Sequence, residues 1–298
     1  EDYDKLYDYV GKEAIDDYAV ETLKRFVGTS CNKIVVEYPY HDKDFLSTYY
    51  CYYSQKFRSF PKKCYRLHIM GKDEVYYGYI VLRVKGTRLG TTYLSPKPLI
   101  NEEAYLMLAK YEAHIMDNKC EIKCFPWMKQ EVDISVCAHV AAWTILRYYG
   151  NKYHNYADTT MGAIAQKIKG DMGRKTPSNG LTPVQIADLF QEYGFSPIIR
   201  GGIKEENSKF LDEIMAYIES GIPIVGFISP KQHAVSIVGH GRINYDLLDN
   251  PVSVDKLKDE QTGIILHSKL IPSLYVMEDN YFGYRKVSKE LPTSTSDV

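Results

Sequence analysis

The spacing of apolar positions in the second half of the chain predicts three helices. Between residues 138 and 149 apolar side chains recur every three or four positions, and Gly150 follows, which predicts a helix over 133–150. Thr182 and Gln185 stand at capping-box spacing around Pro183, so a second helix begins there and ends at Gly194. A third helix is predicted over 208–221.

After these helices the pattern changes to alternating or continuous apolar runs of strand length. They cover residues 222–228, 234–239, 263–267 and 274–277. Helices followed by strands are typical of an α+β domain in which the helices pack on one face of an antiparallel sheet.

The first half of the chain has a different order of elements. Its apolar pattern predicts helices over 4–27, 44–57 and 102–117, and strands over 33–40, 64–70, 75–84, 91–94 and 120–125. The connection KGTRLG between two of these strands contains two glycines and predicts a hairpin. This half is therefore expected to form a small α+β unit.

Length and tyrosine content suggest where the two units divide. The chain has 298 residues, enough for two domains of ordinary size, and 17 of its 27 tyrosines precede residue 127. We predict a Tyr-rich α+β domain over 1–126 and a second domain over 127–298. The first would select substrates, bind a partner protein or regulate the second.

Composition excludes several classes of protein. Lys and Arg number 37 against 38 Asp and Glu, so no basic excess indicates a nucleic-acid binder. No apolar run approaches the ~18 residues that cross a bilayer, and the opening EDYDKLYDYV is not typical of a signal peptide. Six cysteines are too few for a disulfide scaffold. We therefore expect a soluble protein of a reducing compartment, the cytoplasm.

Nothing in the sequence indicates a metal or an organic cofactor. Cys120 and Cys124 form a C-x3-C pair, but no second pair of Cys or His stands nearby to complete a zinc site. We expect these two cysteines to be small buried apolar residues.

Cys137 is the strongest candidate for a nucleophile. It stands near the predicted start of the helix over 133–150, with Ser135 or Asp133 as candidate caps, and the positive end of the helix dipole favours a thiolate. Gln130 precedes it by seven residues, so its carboxamide could fold back over the sulfur. With the backbone N–H of Cys137, it could stabilise the oxyanion formed when a carbonyl is attacked.

A thiolate nucleophile also needs a proton carrier. His233 begins a predicted strand, a rigid position from which an imidazole could pair with the thiol and protonate a leaving amine. An acceptor that orients the imidazole is expected from the adjacent strand, with Asp279 as first choice and Asn280 as second. His240, seven residues after His233, is expected to point to the opposite face.

These motifs resemble the papain-like cysteine peptidases, and more narrowly the bacterial C39-like peptidases. The similar stretches, in order over residues 127–287, are QEVDISVCAHVAAWTILRYYG, GLTPVQIADLFQEYGF, QHAVSIVGHG and LYVMEDNYFGY. The resemblance implies a papain-like domain with Cys137 as nucleophile, His233 as base, Asp279 as orienter and Gln130 as oxyanion donor. Its best-known members cleave Gly-Gly leader peptides.

The leading hypothesis is a cysteine peptidase that hydrolyses an amide bond in a peptide or protein through an acyl-enzyme. Two alternatives remain open at the level of sequence. Papain-fold acyltransferases or transglutaminases use the same residues with a different acceptor, and a catalytically silent domain would serve as a binding module.

Overall fold

The computed structural model describes residues 3–86, 88–131, 137–168, 180–201, 207–228, 233–249, 251–259 and 262–288. The helices of these stretches are α1 (Leu6–Val10), α2 (Asp17–Phe26), α3 (Lys43–Cys51), α4 (Cys137–Lys152), α5 (Met161–Lys167), α6 (Pro183–Glu192), α7 (Asn207–Glu219) and α8 (Pro251–Leu257). The strands are β1 (Lys33–Tyr40), β2 (Cys64–Met70), β3 (Tyr76–Leu82), β4 (Leu89–Leu94), β5 (Ala104–Leu106), β6 (Ala109–Ile115), β7 (Asn118–Cys124), β8 (Ile224–Ile228), β9 (His233–Gly241), β10 (Ser273–Met277) and β11 (Arg285–Ser288). Within the described stretches, every helix is too short or too polar to span a bilayer.

The first sheet is an antiparallel meander of four strands in chain order, β1-β2-β3-β4. All four strands were predicted from the apolar pattern, and β3 pairs with β4 as the predicted hairpin. The side chains of β4 are buried throughout, since this edge of the sheet is covered by the rest of the molecule. The apolar pattern thus identified the strands of this sheet. The burial of β4 follows from tertiary packing, in which Trp127 pairs with Thr92.

The second sheet is centred on β9 and carries the candidate chemistry. On one side β9 pairs with β10, which in turn pairs with β11. On the other side β8 pairs with the first half of β9 and β5 with its last residues. A Cβ atom at Gly239 would collide with the carbonyl oxygen of Tyr105, so glycine allows β5 to approach β9 there.

Helix α4 packs directly on β9. The Ser236 hydroxyl donates to the carbonyl oxygen of Ala141 over 3.0 Å and lies 2.9 Å from the Thr144 hydroxyl, so one buried polar contact fixes the helix against the strand. The predicted capping box of α6 is also confirmed, because Thr182 and Gln185 satisfy each other's backbone N–H groups.

The predicted helix over 102–117 is wrong. This segment forms β5 and β6, and β6 pairs with β7 in a hairpin. In β6 buried and exposed positions alternate, with Ala109, Tyr111 and Ala113 inside. Glu, Ala, Leu, Met and Lys are good helix formers, but tertiary pairing of a period-two face outweighs that weak preference.

Two further predicted elements differ from the structure. The single helix over 4–27 is two helices, because Gly11 adopts a left-handed conformation and Asp16 then caps α2 through the backbone N–H of Ala19. The predicted strand over 263–267 makes only a bridge at Ile265, since Ile264 and Leu266 point to solvent. Helices α5 and α8 and strand β11 were not predicted.

Several contacts join residues on the two sides of position 126. The Trp143 indole donates to Asp44 over 2.8 Å, and the same carboxylate is paired with Arg147 at 2.8 Å. The backbone N–H of Phe125 donates to the hydroxyl of Tyr284 over 2.7 Å. The structure is thus a mixed α and β fold with antiparallel sheets, compatible with a C39 peptidase domain. The domain division at 126 and 127 stays a prediction.

Candidate active site

Cys137 is the first described residue of α4, and its side chain is half-buried. The structure does not describe residues 132–136, so the candidate caps Ser135 and Asp133 lie outside the described residues. Because α4 is anchored on β9 through Thr144 and Ser236, its first turn is held near the start of that strand.

His233 occupies that start, as the sequence predicted. It pairs with Ile228 in the neighbouring strand β8, and its side chain is 13% exposed. The imidazole is hydrogen-bonded to the Cys137 thiol. Cys137 and His233 are far apart in the sequence, and the packing of α4 on β9 brings them together.

Two carboxylates face the other side of the ring. Nε2 of His233 lies 3.0 Å from Oε1 of Glu278 and 3.5 Å from Oδ1 of Asp279. Strand β10 ends at Met277, next to Ser236, so the residues that follow leave the sheet beside the start of β9. Asn280, the second choice from the sequence, is exposed.

The two carboxylates have different partners. The other oxygen of Glu278, Oε2, accepts a hydrogen bond from Arg285 over 2.6 Å. Asp279 is almost completely buried, and no other described residue donates a well-aligned hydrogen bond to either of its carboxylate oxygens. Nε2 of His233 lies closer to Glu278 than to Asp279.

The surroundings shift the pKa of each group. Hydrogen bonds to Cys137 and then to Glu278, with the charge of Asp279, raise the pKa of His233 to about 10 against the opposing effect of burial. Burial raises the pKa of Asp279 to about 6, although His233 acts in the opposite direction. Burial alone would raise the pKa of Glu278, but hydrogen bonds from His233 and Arg285 outweigh it, and that pKa is lowered.

The sequence analysis missed Glu278 and Arg285. Alternation along a strand places neighbouring residues on opposite faces, so a continued strand would have directed Glu278 away from Asp279. Alternation ends with β10 at Met277, and both carboxylates then turn towards His233. The signal that was available is the pair of adjacent acidic residues directly after a buried strand.

Gln130 is half-buried and lies in an extended segment at the end of the described stretch that precedes α4. Its neighbour Glu131 is buried and contacts the first sheet. The structure thus brings Cys137, His233 and Asp279 together. Gln130 lies next to Glu131, which is held by its ion pair with Arg83.

The remaining histidines near the site have other surroundings. His139 is buried in α4, and burial lowers its pKa to about 4. His240, at the far end of β9, lies 2.6 Å from Oε1 of Glu219 and 2.6 Å from the carbonyl oxygen of Gly241. Within the described stretches, no group of three or more His, Cys, Asp or Glu side chains is arranged to hold a metal ion.

Comparison with known families identifies part of the chain. Residues 121–261 match the Peptidase_C39 like family, which confirms the resemblance seen in the sequence motifs. The matched range includes Gln130, Cys137 and His233 and ends before Asp279. No curated protein and no solved structure matches the chain significantly. The family supports a peptidase, in general of the cysteine type.

Proposed function

We propose that this protein is a cysteine peptidase that hydrolyses an amide bond in a peptide or protein. Cys137 is the nucleophile, His233 the base, Asp279 the residue that orients His233, and Gln130 a donor to the oxyanion. One observation carries the proposal: a half-buried thiol is hydrogen-bonded to an imidazole that faces two buried carboxylates on its other side.

The raised pKa of His233 favours an imidazolium beside the Cys137 sulfur in the resting enzyme. The sulfur of Cys137 attacks the carbonyl carbon, and the resulting oxyanion accepts hydrogen bonds from Gln130 and the backbone N–H of Cys137. His233 gives its proton to the leaving amine as the C–N bond breaks, which leaves a thioester. Water then attacks the thioester while His233 accepts a proton, the carboxylic acid departs as the C–S bond breaks, and the resting Cys137–His233 pair is restored.

We assign the orienting role to Asp279 although Glu278 is closer. Glu278 is already neutralised by Arg285, whereas the buried Asp279 needs a donor that the N–H of His233 can supply. A small rotation of the ring would bring Nε2, which lies 3.5 Å from Oδ1 of Asp279, within hydrogen-bonding distance. Glu278 adds negative charge beside the same nitrogen.

The proposal extends to the setting of the enzyme. All six cysteines are reduced thiols, which suits a bacterial enzyme acting in the reducing cytoplasm. Residues 1–126 are proposed as the part that selects the substrate or binds a partner protein, and Asp44 of this part accepts a hydrogen bond from Trp143 in α4.

The first test is alkylation of the native protein with iodoacetamide across pH 4–9, followed by peptide mass mapping. Cys137 should be labelled selectively well below the free-thiol value of about 8.5, and His233→Ala should abolish that selectivity. The other five cysteines provide the internal control. If Cys137 reacts no faster than they do, the pair is not formed and the proposal is wrong.

The second test is turnover of a mixed peptide library, read by product mass. Hydrolysis adds one water to each cleaved bond, and we expect those products from the wild type and none from Cys137→Ala. Products that carry an added amine or thiol would instead identify an acyltransferase. Selective labelling with neither product would favour the binding module.

A further inference from the structure

The segment that carries Gln130 contacts the first sheet. The strands of that sheet are distant in sequence from His233 and Asp279. Residue 127 is hydrogen-bonded to β4 in both directions: Thr92 N donates to Trp127 O over 2.7 Å, and Trp127 N donates to Thr92 O over 3.0 Å. Lys129 and Glu131 also contact this region, through the side chain of Arg83. Gln130 therefore lies on a segment that the first sheet supports.

One buried side chain of that sheet contacts this segment on both sides of Gln130. Arg83 directly follows β3, and its Nη2 donates to the carbonyl oxygen of Lys129 over 3.1 Å. Its Nη1 donates to Oε2 of Glu131 over 3.2 Å. A third bond, from Nη2 to the carbonyl oxygen of Leu89 over 2.7 Å, fixes the guanidinium to β4.

The acidic partner is held just as firmly. Glu131 is 2% exposed and Arg83 5%, so the ion pair is formed inside the protein. The hydroxyl of Tyr53 donates to the second carboxylate oxygen of Glu131. Gly86, in the turn after Arg83, has a positive φ, and a Cβ atom there would collide with that same oxygen. A buried charge pair with every oxygen engaged allows little movement of the backbone that carries it.

We propose that Arg83, assisted by Tyr53, is a positioning residue for the oxyanion donor Gln130. This inference rests on the proposed function, since it assigns a role to residues of the first half in that same reaction. The guanidinium is a planar fork that can bond the neighbours of Gln130 on both sides simultaneously, which the single ammonium of a lysine cannot reproduce. The backbone on both sides of Gln130 is thereby held, and with it the position from which its carboxamide would reach the oxyanion.

Two reagents separate this role from a general effect on the fold. Iodoacetamide alkylates the Cys137 sulfur by displacement of iodide, and no oxyanion forms. p-Nitrophenyl acetate acylates the same sulfur through a tetrahedral oxyanion, with release of p-nitrophenolate and formation of a thioester. The ratio of the acylation rate to the alkylation rate at Cys137, both followed by peptide mass mapping, therefore reports the oxyanion site alone.

We expect Gln130→Ala to lower this ratio by about 10²-fold, the usual effect of removing one oxyanion donor. Arg83→Lys should lower it by roughly tenfold while the alkylation rate stays within about twofold of the wild type. Tyr53→Phe, which removes one hydroxyl and no charge, should lower it less. In the double variant with Gln130→Ala, Arg83→Lys should add little, because both act through one group.

The matched control is Arg66→Lys. Arg66 lies on the adjacent strand β2 and has the same kinds of partner, the carboxylate of Glu37 at 2.6 Å and the carbonyl oxygen of His114 at 3.1 Å. It does not contact the segment of Gln130, so its ratio should equal that of the wild type.

The possible outcomes distinguish a failure of the positioning role from a failure of the proposed peptidase function. If Gln130→Ala lowers the ratio but both Arg83→Lys and Tyr53→Phe keep it, the positioning role is wrong and the proposed function stands. A parallel fall of acylation and alkylation in Arg83→Lys also contradicts it, since that indicates a general structural effect. If Arg83→Lys does not fold, Tyr53→Phe decides. Absence of selective Cys137 labelling in the wild type overturns both proposals.

Discussion

The two ends of strand β9 carry histidines in similar surroundings that differ in chemistry. His233, at one end, faces Glu278 and Asp279, and His240, at the other, faces Glu219. Seven residues of strand separate them, roughly 23 Å at 3.3 Å per residue. A buried histidine beside a carboxylate is therefore not in itself a catalytic feature of this molecule.

The difference lies in the second ring nitrogen. At His240 it is occupied by the carbonyl oxygen of Gly241, and the ring stacks on Tyr105, so the side chain joins strands and a helix end. At His233 the remaining partner is the thiol of Cys137 at the start of α4. The two histidines thus differ in the helix packed against each end of the strand, and the proposed reactive pair depends on the start of α4 lying beside His233.

The largest expected effect on turnover comes from removing the thiol of Cys137, which lies beside His233 and has no counterpart beside His240 among the described residues. Cys137→Ala should reduce peptide turnover by a factor on the order of 10⁴ or more. Its melting temperature should change by less than about 2 °C, because the lost sulfur is only half-buried. Residual turnover close to that of the wild type would remove the distinction between the two ends.

Substitution of the two carboxylates beside His233 should affect turnover and melting temperature differently. Asp279→Asn should lower turnover about 10- to 100-fold, more than Glu278→Gln. The pKa of Asp279 is raised to about 6, so the folded state resists its ionisation and the cost is fully present above that pH. Asp279→Asn should therefore melt on the order of 2 °C higher at pH 7.5.

Glu278→Gln should change the melting temperature in the opposite direction. The pKa of Glu278 is lowered, so its contribution to stability is present above the value of the unfolded chain and is lost as pH falls through the folded value. This variant should melt lower than the wild type at pH 7.5. A larger loss of turnover in Glu278→Gln than in Asp279→Asn would give the orienting role to Glu278 instead.

The pH dependence of stability should locate the reactive pair. The pKa of His233 is raised to about 10 from 6.5, so its contribution is fully present below pH 6.5 and is lost as pH rises to about 10. The difference in melting temperature between wild type and His233→Asn should shrink across that window. An equal difference at pH 6 and pH 10 would contradict the assignment.

His139 provides the control of opposite sign. Burial lowers its pKa to about 4, so its contribution is present above pH 6.5 and is lost as pH falls towards 4. The difference between wild type and His139→Asn should therefore narrow on the acid side, where that of His233→Asn remains constant.

The smallest effect on activity is expected at the other end of β9. His240→Asn removes a buried ring bonded to Glu219, so the melting temperature should fall by several degrees. Turnover and Cys137 alkylation should stay within about twofold of the wild type at a temperature where both proteins are folded. A tenfold loss would mean that the two ends are coupled.

Local patterns predicted the elements whose signal is contained within a few residues. The repeat of apolar positions around Trp143 identified α4, and the pair Thr182 and Gln185 identified the start of α6, because both depend on contacts within a helix turn. The segment over 102–117 was misassigned because its helix-forming composition opposes a strand pairing that is decided elsewhere.

The sequence by itself determined the residue types of the candidate site and the helix and strands that carry them. Cys137, His233 and Asp279 were identified because a nucleophile, a base and an orienter need those chemical groups. Only the tertiary structure decided that Glu278 joins Asp279 beside His233 and that Arg83 bonds both neighbours of Gln130. The physical reason is the distance along the sequence over which each interaction acts. Periodicity and capping act over a few residues, whereas strand pairing and buried ion pairs can join residues far apart, such as Arg83 and Glu131.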